Sequence, residues 1–243
     1  MNATYLRLEI LRIARSPQFA IFTIGMPLVM FLLFGGLFGD NVTPDGVKAG
    51  VVTMVNMAAY GAMTGALFTG ARVATERTEG WQRQLRVTPM RAPGYLAVKV
   101  LSAMAVALPV ILIIFAAGLI RGEHLTPAQW AAALVSLWAG ALPFAVLGLL
   151  AGLHGKGDTV GAVTGALMLP LGMFGGLWMP LEMLPDWMGT VARFLPSYWL
   201  GTLGRAPLTH GSGTGIAVLV LAAWLVVPAL VVLRRFRLDT AKL

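Results

Sequence analysis

No cysteine occurs among the 243 residues, so disulfides and thiolate metal sites are excluded. Histidine is nearly as scarce. His124 and His210 stand alone in polar stretches and read as solvent-facing, not as metal ligands, while His154 lies at a helix end where dipole and headgroup contact suffices. Charged residues make up only 12% of the chain, and all ten Asp and Glu read as loop or tail residues. That leaves no intramembrane carboxylate for a proton- or sodium-coupled carrier, and no nucleophile, carboxylate pair or ligand cluster at membrane depth for an enzyme. A P-loop is lacking too. The nearest approach to G-x-x-x-x-G-K-[ST] is LAGLHGKG from Leu150 to Gly157, which misses the first glycine and the final hydroxyl. Gly155 to Asp158 therefore reads as a tight turn, and any ATP use belongs to another chain.

Apolar length is what the chain has in abundance. Hydrophobic residues are 58% of the total and mean hydropathy is +0.79. A bilayer core of about 30 Å takes roughly 20 apolar residues per helix, and six such stretches are present: 18–39, 49–71, 95–120, 128–153, 160–181 and 215–233. Membrane β-strands are about ten residues long and alternate, whereas Pro109 to Phe115 is apolar on every face. The expected fold is an all-α integral membrane protein: a single six-span domain, with an N-terminal amphipathic interfacial helix, a cytoplasmic helix in the second gap and short re-entrant extracellular helices before the last span. The first stretch follows Arg7, Arg12 and Arg15 but is longer than a signal-peptide core, so it reads as an uncleaved span.

Orientation follows from the basic residues, because positively charged loops stay in the cytoplasm. Fourteen of the 18 Lys and Arg fall in the N-terminus, the second gap with Lys99, the fourth gap and the tail; Lys48, Arg121, Arg193 and Arg205 fall on the other side. Both termini are thus expected in the cytoplasm. The net charge of +8 is scattered among membrane-proximal segments, a pattern that fits anionic lipid headgroups and not nucleic acid. Fourteen arginines against four lysines, in an Ala-, Gly-, Leu- and Val-rich chain, point to a GC-rich bacterial genome. Within residues 1–17, Leu6, Ile10, Leu11, Ile13 and Ala14 share one helical face opposite Glu9, Arg12, Arg15 and Ser16. That helix serves either as a lipid-surface anchor or as a subunit contact.

The polar gap at 72–94 carries the strongest local signal. Glu76 and Glu79 come early and Arg83 and Arg86 late, an order that complements a short helix dipole. Glu79 and Arg83 are spaced i, i+4, Thr75 is the expected N-cap, Trp81 and Leu85 form a ridge, and Pro89 stops the helix. Such a helix is either a knob for a partner's groove or a solvated interfacial helix with Trp81 among the headgroups. In the second span Thr53, Asn56, Tyr60 and Thr64 share a helical face. They serve either interhelical hydrogen bonds of about 0.6 kcal/mol per pair or a substrate passage. In the fifth span Gly161, Gly165, Gly172 and Gly176 share a face with Met168 and Gly175, a spacing for close helix or dimer packing. Residues 182–214 are too polar and proline-rich to span, yet keep Trp187, Phe194, Tyr198 and Trp199, as short helices dipping into the outer leaflet would.

The second gap resembles the cytoplasmic loop of the ATP-binding cassette type 2 permeases, in Glu76, Arg77, Glu79, Gly80, Leu85, Arg86, Thr88 and Pro89; Trp81 stands where many members have a smaller residue. A second likeness lies in GGLWMPLEMLP from Gly175 to Pro185, followed by FLPSYW from Phe194 to Trp199. With six spans and an amphipathic N-terminus, the resemblance covers essentially the whole chain. It implies a half-transporter in the bacterial cytoplasmic membrane, paired with a second permease as homodimer or heterodimer. Two separate ATPase subunits carrying ATP and Mg would drive it, with no cofactor in this chain. It also implies that Glu76 to Pro89 is the coupling helix, with Glu76, Arg77, Glu79, Gly80, Trp81, Arg83, Leu85, Arg86, Thr88 and Pro89 on the ATPase, and that the second and fifth spans line the passage. The implied cargo is an amphiphilic drug or natural product. Lipid or glycan-conjugate export, or a sensor or immunity protein that recruits an ATPase without transporting, are the alternatives.

Overall fold

The computed structural model describes residues 20–78, 92–155, 157–179, 181, 184–209, 211 and 213–241, without the side chains of 77, 92, 93, 158 and 235–241. Ten α-helices occur among them. These are α1 Met26–Phe38, α2 Ala49–Ala71, α3 Val73–Thr78, α4 Ala92–Ile120, α5 Pro127–Gly140, α6 Leu142–His154, α7 Gly157–Phe174, α8 Asp186–Ala192, α9 Pro196–Arg205 and α10 Thr214–Ala241. A π-helical turn, Ile21–Gly25, runs into α1. Pro27 has no N–H to return to residue 23, and the backbone widens just ahead of it. An isolated antiparallel bridge between Val42 and Lys48 closes the α1–α2 loop.

Among the described residues, five segments are long and apolar enough to cross a membrane: Ile21–Phe38, Ala49–Glu76, Gly94–Ile120, Pro127–His154 and Thr214–Arg234. The fourth is jogged at Ala141, where Pro143 opens α6 without an N–H to donate. The expected fifth span over 160–181 is not continuous. Its helix stops at Phe174, and the apolar part, Thr159–Phe174, covers only about 24 Å at 1.5 Å per residue. Gly176 ends it with a positive φ of 66°. Its N–H donates to Met173 and that of Leu177 to Gly172, a Schellman-type stop that a residue with a Cβ would strain. The polar region that follows does contain two short helices, α8 and α9.

Helix α2 is the axis of the bundle. In the 18-residue apolar stretch of its crossing segment 83% of residues are buried, against 22% in the corresponding stretches of Ile21–Phe38 and Thr214–Arg234. Met54, Met57, Met63 and a run of alanines on α2 meet Ile111 and Ile114 of α4 and Phe144 of α6 in the main core. The approach of α6 is backbone to backbone. A Cβ on Gly70 would sit 2.4 Å from the Ala145 carbonyl oxygen, and one on Gly148 2.1 Å from that of Leu67. Without a hydrophobic drive inside lipid, such close van der Waals packing is what holds helices together. The outward faces of α1 and α10, with Leu33, Leu37, Leu219 and Val227 exposed, suit hydrocarbon in a span.

In the loop between α4 and α5, Thr126 caps α5. Its hydroxyl accepts from Gln129 N at 3.3 Å while the Gln129 side chain accepts from Thr126 N at 3.0 Å, a capping box. Just before it, Glu123 is buried and packs over Gly50 in the first turn of α2. Burial pushes the Glu123 carboxyl above its ordinary value of 4.5, against the pull of Lys48 and Arg121. A raised folded pKa means the native state holds the proton more tightly. Its contribution is therefore most favourable below the unfolded value and is lost as pH rises through the folded one. Glu123→Gln is expected to raise the apparent Tm at pH 7, with the difference vanishing at pH 4; thermal unfolding of the detergent-solubilised protein at both pH values checks this.

Candidate functional site

Between α2 and α3 the helix is interrupted only at Arg72, whose N–H still reaches back to the Phe68 carbonyl. The chain then winds through one more turn and a half as α3. Val73 and Ala74 are buried and Thr75 and Thr78 are exposed, so α3 lies with one side against the bundle. The expected N-cap at Thr75 is not one. Thr75 is inside α3, and its carbonyl accepts from the Thr78 hydroxyl at 2.8 Å, because the helix has already started at Val73.

Glu76 points inward. It is only 4% exposed, and its carboxylate accepts from Tyr95 Oη at 2.8 Å and from Lys99 Nζ. Lys99 is fully buried and Tyr95 nearly so. The two are one turn apart on α4, with the ammonium 5.6 Å from the Tyr95 ring centre, so cation, ring and carboxylate form one compact triad. Glu76 thus departs from the expectation that every acid sits in a loop or tail. It belongs to a helix continuing the second span, neutralised by a lysine from the start of the third. Breaking a buried pair by removing one partner costs about 3–5 kcal/mol.

Three further contacts fix α3. Val73 packs with Tyr95, Leu96, Leu149 and Leu153. A Cβ on Gly152 would lie 3.0 Å from the Ala71 carbonyl oxygen, which sets α6 flush against the break, and one on Gly157 would lie 3.6 Å from Thr78. The entry to the 72–94 gap is therefore clamped by α4, α6 and the start of α7. Of the residues expected on a docking helix, Glu76 and Arg77 fall in α3. The side chain of Arg77, and all of Glu79, Gly80, Trp81, Arg83, Leu85, Arg86, Thr88 and Pro89, lie outside the described residues, as does the amphipathic 1–17 segment.

At the other end of α2, three residues of the polar stripe are buried: Asn56, Tyr60 and Thr64; Thr53 is half-buried. Thr64 donates to its own helix, to the Tyr60 carbonyl at 2.7 Å. Tyr60 packs edge-on against Trp178, with centroids 5.3 Å apart. Asn56 Nδ2 donates to the Gly176 carbonyl at 3.4 Å, and its Oδ1 accepts from Arg205 Nη1. The stripe therefore meets protein, with Asn56 and Tyr60 against the turn after α7 and the C-terminus of α9.

The four glycines of the fifth stretch part company. A Cβ on Gly172 would sit 2.7 Å from Trp178 Nε1, and one on Gly176 2.9 Å from Leu181, while Gly161 and Gly165 meet nothing within 4 Å. Gly172 and Gly176 serve intrachain packing; Gly161 and Gly165 face outward. Among the described residues, no three His, Asp or Glu gather as metal ligands.

Sequence reasoning missed Tyr95, Trp178 and Arg205, and took Lys99 only as a charge beside a loop. A lysine one turn inside an apolar helix was the available signal, since a buried ammonium demands an acid. Arg205 carried no such signal, because it sits in a polar stretch.

The comparisons agree with this architecture. A family model described as ABC-2 type transporter matches residues 3–208. The chain is also 31% identical over 219 residues to a Bacillus subtilis (strain 168) protein described as "Putative transport permease YvfS", covering 89% of each. With the match running from before the first span through α9, and a multi-helix apolar bundle beneath it, the chain belongs to the ABC-2 type transporter family and is a permease of that kind.

Proposed function

We propose that this permease exports an amphiphilic drug or natural product from the cytoplasm or inner leaflet, driven by ATP and Mg held on a separate ABC ATPase. The family implies association with such an ATPase. In this reading the segment Glu76 to Pro89 is the coupling element, both termini are cytoplasmic, and the functional unit pairs two permeases.

One observation carries the reading: the Glu76–Tyr95–Lys99 triad ties the entry of the 72–94 gap to the third span. A force applied to the segment beyond Thr78 reaches α4 through a buried ion pair and reaches α6 and α7 through direct packing. Rigid elements with discrete contacts carry such coupling better than solvated loops. Thr53, Asn56, Tyr60 and Thr64 would then border the passage once the helices around them part.

Co-purification with ATPases encoded beside it tests the reading. Wild type should capture its ATPase, and Glu79→Arg with Trp81→Ala should lower capture by about tenfold or more, as loss of an interface anchor and a reversed charge predict. Undiminished capture by that double variant would place docking elsewhere. If no ATPase is captured by well-folded wild type, the exporter reading fails.

A further inference from the structure

The end of the bundle remote from the 72–94 gap is covered by the turn after α7 and by α9, and Asn56 touches both. Two turns inside α2 and 5% exposed, it donates to the Gly176 carbonyl with one end of its amide and accepts from Arg205 with the other. A single buried side chain thus joins α2 to segments 120 and 149 residues away.

The surfaces meeting there are smooth. A Cβ on Gly201 would lie 2.8 Å from the Leu177 side chain, and one on Gly175 2.3 Å from Ser197 Oγ. Each side chain meets a bare glycine, so the two sides can separate without side chains having to unthread from one another. The same joint also holds poorly matched polar groups. Trp178 Nε1 and Ser197 Oγ are buried with no hydrogen-bond partner among the described residues, although Trp178 packs edge-on against Tyr60 one turn from Asn56 and Ser197 opens α9. Orphaned buried donors oppose the arrangement that buries them, so polar strain at the joint works against the tie that closes it.

We propose that Asn56 and Arg205 form a latch: while joined they position α9 and the turn from Gly175 to Trp178 against α2 and close this end of the bundle, and their release lets α9 and that turn move away, wetting Ser197 and Trp178. Interfaces of this sort switch between two arrangements instead of deforming smoothly. The inference needs only the permease architecture and stands whether or not Glu76 to Pro89 docks an ATPase.

The absence of cysteine makes the test direct. Ser197 is fully buried, so Ser197→Cys places a single thiol that a membrane-impermeant maleimide reaches only when the latch is open. The labelling rate is measured in membranes of both orientations, with Ser197→Cys alone and combined with Asn56→Leu or Asn56→Asp. Asn56→Leu removes both bonds and should speed labelling by about fivefold or more, a shift in population toward the open arrangement. Asn56→Asp sets a carboxylate against the guanidinium and should slow labelling by about threefold or more, because charge-assisted bonds are the stronger ones. A merely structural asparagine predicts faster labelling in both variants, since both would loosen the packing. Slower labelling in Asn56→Asp supports the latch even if Asn56→Leu fails to fold. Equal or faster labelling in Asn56→Asp overturns it, as does a Ser197→Cys thiol that never reacts in the otherwise wild-type chain.

Discussion

Lys99→Met should reduce the yield of monodisperse permease severely, Glu76→Gln should do so nearly as much, and the two together should recover most of what either loses. Lys99 is completely buried and Glu76 almost so, and each is the other's charge partner. Removing one breaks a buried ion pair, at a cost of about 3–5 kcal/mol, whereas replacing both by uncharged groups of similar volume is often neutral or stabilising. The Tyr95 hydroxyl, which donates to Glu76 at 2.8 Å, still finds an oxygen on glutamine. The double variant therefore separates folding from the proposed coupling role. It should reach the membrane in good yield yet show much weaker stimulation of its ATPase partner by substrate, since a neutral hydrogen bond now holds α3 to α4. The double-mutant cycle is read from apparent Tm and gel-filtration profile. Singles that behave as wild type would mean the pair contributes no net attraction.

The second large effect is expected at the α2–α6 contact. Gly148→Ala puts a methyl 2.1 Å from the Leu67 carbonyl oxygen and 3.0 Å from Ala71 N. Both are backbone atoms of a helix packed on several sides, so relief requires α2 and α6 to move apart. Overpacking of this kind costs about 1–3 kcal/mol or more. In a bundle whose cohesion comes from close approach, the expected result is loss of well-folded protein. Gly165→Ala is the matched control. Its methyl meets nothing within 4 Å, and alanine favours a helix over glycine by about 1 kcal/mol, so stability should be unchanged or slightly higher. Thermal unfolding of the two variants side by side decides the matter. A loss at Gly165 as large as at Gly148 would mean that another chain covers that face.

These predictions mark where the sequence was readable. The stretch expected at 49–71 forms the helix Ala49–Ala71, which α3 prolongs so that the apolar segment runs to Glu76; an apolar run of that length has one solution in a bilayer. Inside lipid a backbone must bond to itself, so a single span forms a helix whatever surrounds it. The short helices after α7 were legible for a related reason, as prolines and polar residues prevent a crossing. The fifth stretch was overrun because its composition stays apolar past Gly176. What ends the helix is a backbone conformation at one glycine, and hydropathy carries no information about φ.

Side-chain roles were less legible. In a linear reading Lys99 is a charge on the loop side, yet it is a core residue. Glu76 reads as part of a docking segment, and its own carboxylate faces α4. Both look like ordinary loop-flanking charges in a linear reading, because periodicity reports which residues share a face and not what that face meets. The four glycines illustrate the same limit: identical in type and spacing, they divide into two that pack within the chain and two that do not.

By itself, then, the sequence determined the class, the long apolar helices and the basic gap between the second and third spans, all of which follow from local hydropathy, charge and backbone self-satisfaction. The tertiary structure alone decided that Glu76 meets Lys99 across 23 residues and that Asn56 meets Arg205 across 149. Such pairs arise from which helices lie side by side, and that choice rests on shape complementarity summed over whole helix faces, a quantity no local stretch of sequence contains.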